Sequence, residues 1–304
     1  MQGLSNFSEG VDMAFYVIIG ISLLFLIGLT TLMIFFVVKY SRKRHPKAKE
    51  VKESTKMEIL WIAIPTILVL IMFYYGWVGY RPMRQIPDDA IKIKVTAKMW
   101  SWTFEYENGK WDSLLYVPVG KAVALDLISD DVVHSLYIPA FRVKEDASPG
   151  VTNKMWFIAN QTGEYDILCA EYCGLKHSDM YSRVIVLPED DYLAWYNEEK
   201  KFDPNIPPGF ELLQKNGCIA CHSTDGSKLV GPSFKGIYGI DRTVIIDGKE
   251  KTLTIDDDYI KRSISDPNVE IVKDFNAIMP PYKDKFTDEE MKLIIDYFKS
   301  DSAK

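Results

Sequence analysis

Two uncharged stretches, residues 13–38 and 59–80, restrict what this chain can fold into more than any other feature of it. They run for 26 and 22 residues, and about 20 apolar residues let a helix cross the hydrocarbon core of a bilayer. A secretory signal does not account for the first, because its apolar run is too long and no Lys or Arg precedes it. Between the two lies a loop from Lys39 to Lys56 with eight Lys/Arg against Glu50 and Glu53. The positive-inside rule puts that loop in the cytoplasm and both outer ends of the hairpin on the other side. Trp61 near one end of the second stretch, and Tyr74, Tyr75, Trp77 and Tyr80 near the other, match aromatic interface belts. Residues 1–83 therefore read as a two-helix transmembrane hairpin in the lipid bilayer.

From Ala90 the apolar period drops to two. Ile91, Ile93, Val95 and Ala97 alternate with Lys92, Lys94 and Thr96, as in a half-buried strand. Further strands are predicted at 100–106, 122–128, 154–159, 165–168 and 183–187, with turn signals such as Asn108-Gly109 and Pro149-Gly150 between them. Many short strands at this spacing predict an all-β Greek-key domain of cupredoxin type over residues 84–200, with loops free at one end. Trp100, Trp102 and Phe104 are predicted to share one face of a strand. A short amphipathic helix is predicted from Pro188 to Lys200. Three prolines, Pro204, Pro207 and Pro208, then mark a stiff connector at 201–209. Residues 210–304 read as a small helical domain. Thr287 and Glu290 form a capping box ahead of its last helix, and Asp247-Gly248 signals a hairpin. Residues 84–200 carry twelve Lys/Arg against nineteen Asp/Glu, and 203–304 carry fourteen against eighteen. Acidic soluble parts argue against nucleic acid and suit a basic protein partner.

The chain has four Cys in two tight pairs, which is cofactor usage rather than a disulfide framework. The first pair lies in Cys169-Ala-Glu171-Tyr-Cys173-Gly-Leu-Lys-His177-Ser-Asp-Met180. Two thiolates with an imidazole suit copper or zinc, and the methionine turns the balance toward copper. A second imidazole is available from His134, thirty-five residues before Cys169. A Cys169–Cys173 disulfide is the alternative, and it leaves the spacing of His177 and Met180 unexplained. The second pair is Cys218-Ile-Ala-Cys221-His222, the Cys-x-x-Cys-His pattern of covalent c-type haem attachment. Met279, in Asn276-Ala-Ile-Met279-Pro280-Pro281, is the candidate second axial ligand, while Met291 falls in a helical pattern and reads as core.

The copper loop resembles that of cytochrome c oxidase subunit II, with Cys-x-Glu-x-Cys-x-x-x-His-x-x-Met and a distant His. The Cys-x-x-Cys-His segment and Gly231-Pro232-Ser-Phe234 resemble a small class I cytochrome c fused behind it. The resemblance implies a binuclear copper (CuA) site in which Cys169 and Cys173 bridge two metals. His134 and His177 would cap one metal each, with Met180 and the Glu171 carbonyl as weak axial ligands. It further implies that the Glu171 side chain reaches a magnesium ion shared with subunit I. Trp100 would lie on the surface near CuA, where electrons come in. Glu58, at the cytoplasmic start of the second span, would mark the mouth of a proton pathway; the alternative is a carboxylate that favours a helix start. Two positions depart from the family pattern: Met99 where Gln is common, and Val151 where Arg is common.

The function implied is the electron-accepting subunit of a haem–copper terminal oxidase. Electrons would pass from a cytochrome c or a quinol:cytochrome c reductase complex through haem c and CuA to haem in subunit I. There, among other membrane subunits, oxygen is reduced to water with proton pumping. In a bacterium the hairpin would sit in the inner (cell) membrane, with both soluble domains on the periplasmic side. The alternatives are the CuA subunit of a haem–copper nitric oxide reductase and a membrane-tethered copper-delivery module without redox duty. The short connector holds the haem domain near the copper loop. Ion pairing between the two acidic domains is accordingly expected to matter little, and the internal step to depend weakly on salt.

Overall fold

The protein is described by a computed structural model covering residues 3–47, 53–198 and 206–300. The predicted connector at 201–209 lies outside the described residues up to 205, and the basic loop is described apart from 48–52.

Helix α1 (Ser8–Lys39) and helix α2 (Thr55–Met83) form an antiparallel pair with the two apolar stretches inside them. None of the residues in their most apolar segments is buried, the pattern of a lipid-facing surface rather than of a core. At 1.5 Å per residue, α1 measures about 48 Å, ample for a hydrocarbon core of about 30 Å. Glu58 lies in the first turn of α2, and Pro65 lies inside that helix.

Both outer ends of the hairpin are fixed to the next domain. Before α1, the Asn6 N–H donates to Ile158 O at 3.1 Å and Ser5 Oγ donates to Phe141 O at 2.7 Å. Phe7 packs edge-on to Trp156, with ring centroids 5.0 Å apart. After α2, Trp156 Nε1 donates to Pro82 O at 3.2 Å, and Arg84 pairs with Glu145. The basic loop is thereby held at the far end from the β domain, as the charge asymmetry requires.

The β domain is a sandwich of two five-stranded sheets. One has the order β3 (Trp111–Asp112), β2 (Ser101–Tyr106), β1 (Ile91–Lys98), β5 (Ala122–Ser129) and β8 (Asn153–Ile158). The other runs β4 (Leu115–Pro118), β10 (Tyr181–Leu187), β9 (Gly163–Cys169), β6 (His134–Ile138) and β7 (Val143–Ala147). The alternation predicted for β1 is realised: Ile93, Val95 and Ala97 are buried. Strands β6 and β7 were not foreseen, for physical reasons. Strand β6 opens with His134-Ser135, two polar residues that are fully buried at the site, and β7 carries Lys144, Glu145 and Asp146. Its pairing with β6, not its own pattern, makes β7 a strand. In β2 the residues facing the core are Trp102, Phe104 and Tyr106. Trp100 stands just before β2 rather than in it, buried in the same cluster as Trp102 and Phe104. Helix α3 (Glu189–Asn197) closes the edge, stacking Trp195 on Tyr116 with ring centroids 4.3 Å apart.

The last domain packs α4 (Pro208–Lys215), α5 (Asp257–Ser265) and α6 (Asp288–Lys299) around Leu213, Ile260, Ile294 and Phe298. The capping box of α6 forms as predicted, with Glu290 N–H donating to Thr287 Oγ1 and Thr287 N–H donating to Glu290 Oε2. The hairpin β11 (Asp241–Ile246) and β12 (Lys249–Thr254) turns at Asp247-Gly248, and the short β13 (Ile271–Val272) pairs with β11.

Candidate functional site

Strands β6 and β9 are neighbours, with Leu136 opposite Cys169. That register brings His134, at the start of β6, to the end of β9 where Cys169 stands. The loop that follows folds back over the same point. Cys173 Sγ lies 3.8 Å from Cys169 Sγ, 3.5 Å from His177 Nδ1 and 3.8 Å from Met180 Sδ. His134 Nδ1 is 3.9 Å from Cys169 Sγ, and the Glu171 carbonyl oxygen is 3.3 Å from it. His134, Cys169, Cys173 and Met180 are buried, and His177 is half-buried. The donor atoms of His134, Cys169 and Cys173 all lie within 4.8 Å of one another, close enough to hold a metal ion. All six residues expected at a copper centre thus converge at one end of the sandwich.

The donors are also electrostatically prepared for a cation. His134 Nε2 is 2.8 Å from Asp131 Oδ1, and donating its proton there leaves the Nδ1 lone pair facing the sulfurs. Burial works against the charged forms of both groups. The Asp131–His134 hydrogen bond, the backbone donors to Asp131 and the Cys169 sulfur beside His134 together outweigh it, lowering the Asp131 carboxyl and raising His134 from their ordinary values. The N–H groups of Met99 and Val132 also donate to Asp131, each at 2.7 Å. For the thiols, burial pushes both up. The polar surroundings of Cys169, namely His134, the backbone of Ser135 and Glu171, and Cys173, together bring it below its usual range, while the Cys169 charge adds to the burial that holds Cys173 above its own. Two thiolates this close repel each other unless positive charge lies between them, so the donor set fits a bridged metal pair.

Asp131 was not singled out from sequence, although a carboxylate three residues before a ligand-type His was the available signal. Asp131→Asn is expected to lower copper retention by roughly 10- to 100-fold, the range for groups that orient a metal-binding His. Metal analysis and the optical spectrum of the purified protein check this.

A second centre lies across a cavity in the last domain. Cys218 opens a short 3₁₀ turn ending at Ala220, and Cys221 and His222 follow. His222 Nδ1 is 2.7 Å from Pro232 O, which fixes the protonated nitrogen there and leaves Nε2 for a ligand. Phe234 stacks on the imidazole with centroids 4.4 Å apart and planes 6° apart. Gly231 makes this approach possible, since a Cβ on it would lie 2.6 Å from His222 Cε1. Burial lowers His222 from its ordinary value, favouring the neutral, ligating form. Met279 lines the same cavity, among apolar groups such as Leu213, Ile237, Tyr259 and Phe298. Arg242 also lines it, and burial lowers its guanidinium. An apolar slot with a fixed imidazole, a thioether, two thiols and a cation fits a haem with anionic side chains.

The remaining predicted residues are placed as follows. Glu58 is exposed in the first turn of α2, far along the chain's layout from the copper loop. The Glu171 side chain is exposed, and so is Val151. Trp100 differs from expectation. It is only 6% exposed, because the last domain sits against it: Met99 and Trp100 line the same cavity as Cys218, Cys221 and His222. Its Nε1 donates to the carbonyl oxygen of Cys173 at 3.1 Å.

Comparison with known proteins agrees with these centres. The family of cytochrome C oxidase subunit II matches residues 1–76 with its transmembrane domain and 110–187 with its periplasmic domain. The cytochrome c family matches 206–302. Cytochrome c oxidase subunit 2 of Alkalihalophilus pseudofirmus is 32% identical, over 93% of this chain and 85% of its own length.

The chain belongs to the cytochrome c oxidase subunit II family.

The same-named protein of a Bacillus species is 29% identical over 83% of this chain and 76% of its own. Among solved structures, the periplasmic domain of subunit II of cytochrome oxidase from Bradyrhizobium japonicum is 32% identical with a TM-score of 0.37. It covers 38% of this chain and 98% of that one. This subunit II is therefore a component of a haem–copper oxidase, anchored by membrane helices, with domains of families that bind copper and haem c.

Proposed function

We propose that this subunit II accepts electrons outside the membrane and passes them through its own haem c and binuclear copper to haem in subunit I. Oxygen is reduced to water there, with proton pumping. Cys169 and Cys173 would bridge the copper pair, His134 and His177 would bind one metal each, and Met180 and the Glu171 carbonyl would complete the set. Cys218 and Cys221 would carry the haem, with His222 and Met279 as axial ligands and Arg242 facing its carboxylates. When bound, both groups supply one-electron transfer without bond making or breaking. The donor would be a cytochrome c or a quinol:cytochrome c reductase complex, and the exposed Glu171 carboxylate would serve a magnesium ion shared with subunit I. The membrane would be the bacterial inner membrane, with both soluble domains on its periplasmic side.

The observation that carries this reading is the position of Trp100. One side of its indole lines the cavity of the Cys-x-x-Cys-His segment, and its N–H bonds the backbone of Cys173. A relay needs its two centres close and fixed, and this arrangement supports both. The test is the optical spectrum of the purified complex. A near-infrared copper band and a covalent haem stain in the same chain are expected. Lack of either would remove the relay.

Glu58→Gln addresses proton uptake. The carboxylate lies at the opposite end of α2 from the copper domain. Steady-state turnover is expected to fall several-fold, less than the factor of about 10²–10⁴ that a positioned general acid or base contributes to a chemical step. Haem-to-copper transfer should remain at the wild-type rate. Unchanged turnover would return Glu58 to the role of a helix-start carboxylate.

A further inference from the structure

The connector was expected to hold the haem domain near the copper loop with little need for ion pairs. The described residues show a specific interface instead. Thr103 Oγ1 donates to Lys215 O at 3.3 Å, and Lys176 Nζ donates to Ala220 O at 3.0 Å, on the turn that bears Cys218 and Cys221. Gly217 (φ +69°) lies so close to the copper domain that a Cβ on it would sit 2.4 Å from Ser101 Oγ.

Two ion pairs meet at one carboxylate. Asp130, from the copper domain, lies 2.7 Å from Lys285 Nζ of the haem domain through Oδ2. The same oxygen is 3.7 Å from Lys98 Nζ, whose side chain is 8% exposed. That ammonium in turn sits 3.7 Å from the ring centroid of Tyr282, again in the haem domain. Each domain therefore gives a lysine to one shared carboxylate, and Lys98 is desolvated against an aromatic face of the other domain. A partly buried cation–π contact and a shielded ion pair are stronger than their exposed equivalents.

The location is as informative as the chemistry. Lys98 stands two residues before Trp100, and Asp130 stands four before His134. Tyr282 stands three after Met279. The contacts thus bracket the gap between the two centres from both sides. They also answer an electrostatic problem, because both soluble domains carry an excess of acidic residues and would repel each other at long range.

We propose that Lys98, Asp130, Tyr282 and Lys285 form a latch that holds the haem domain closed over Trp100, and that they are positioning residues for transfer between the two centres. The proposal rests on the relay reading above. The latch sets the docked pose, and the connector sets only how often the domains meet. Because the Lys98 pair is shielded, and because salt that weakens the more exposed Lys285 pair also relieves the long-range repulsion, the wild-type protein shows little net response to salt.

The decisive variant is Lys285→Glu in the purified oxidase complex, with Lys285→Arg and Lys285→Ala alongside. Lys285 is partly exposed and outside both ligand sets, so the variants keep the haem and copper spectra. The first readout is hydrogen exchange of backbone amides at 98–101 and 217–222; the second is the internal transfer rate after a flash. Lys285→Glu places a carboxylate against Asp130, so both segments lose protection and the rate falls about tenfold at low salt. High salt screens that new repulsion and restores most of both. Lys285→Arg behaves as wild type, and Lys285→Ala gives a smaller loss without recovery in salt. Unchanged exchange and rate in Lys285→Glu, or a loss that high salt does not restore, overturns the latch. Absence of internal transfer in the wild type with both cofactors present would overturn the relay reading instead, and the exchange measurements would still decide the latch.

Discussion

Cys173→Ser is expected to abolish the delocalised copper spectrum and to reduce oxidase turnover by at least about 100-fold, beyond the 10- to 100-fold cost of losing an orienting group. Cys173 Sγ lies within 4 Å of Cys169 Sγ, His177 Nδ1 and Met180 Sδ, so it joins the other thiolate to the second imidazole and the thioether. A serine hydroxyl is harder than a thiolate and does not ionise at neutral pH, so it cannot bridge two copper ions. A mononuclear or empty site should remain, with the haem domain intact. Electron paramagnetic resonance and metal content of the purified variant give the answer. A retained two-copper signal would mean that Cys173 is not a bridging ligand.

The second large effect is expected from Met279→Ala. Met/His ligation keeps a c-type haem at high potential, and Met279 shares its cavity with His222. Removing the thioether should lower the haem midpoint potential, strongly slow electron delivery to copper, and leave copper content unchanged. Reductive titration of the haem and metal analysis of the same sample check both halves. A wild-type potential in this variant would assign the sixth ligand elsewhere.

The ligand residues were legible because soft-metal and haem chemistry restrict residue type and spacing tightly. Cys169, Cys173, His177 and Met180 fall within twelve residues, and Cys218, Cys221 and His222 within five. The distant His134 was a candidate second imidazole whose ligand role came from the resemblance, and the β6–β9 register explains its arrival. The membrane hairpin was legible from length and charge alone. Three things were not. Strand β7 carries no apolar alternation, since it is a strand by pairing. Asp131 acts through His134, and its one sequence signal, a carboxylate three residues before a ligand-type His, is weak because Asp130 stands beside it. Trp100 was expected at the surface, where it lies in the resembled family; here the chain's own haem domain covers it. That burial is set by contacts among residues more than a hundred positions apart, such as Thr103 with Lys215, and no local pattern encodes them.

The central claim is that one chain passes electrons from its haem domain to its copper loop across the Trp100 face. Time-resolved absorbance after flash reduction of the haem in the assembled oxidase tests it most directly. The account predicts haem oxidation and copper reduction with one shared rate constant, independent of protein concentration. A rate that rises with concentration, or copper reduced before the haem, would contradict an internal relay.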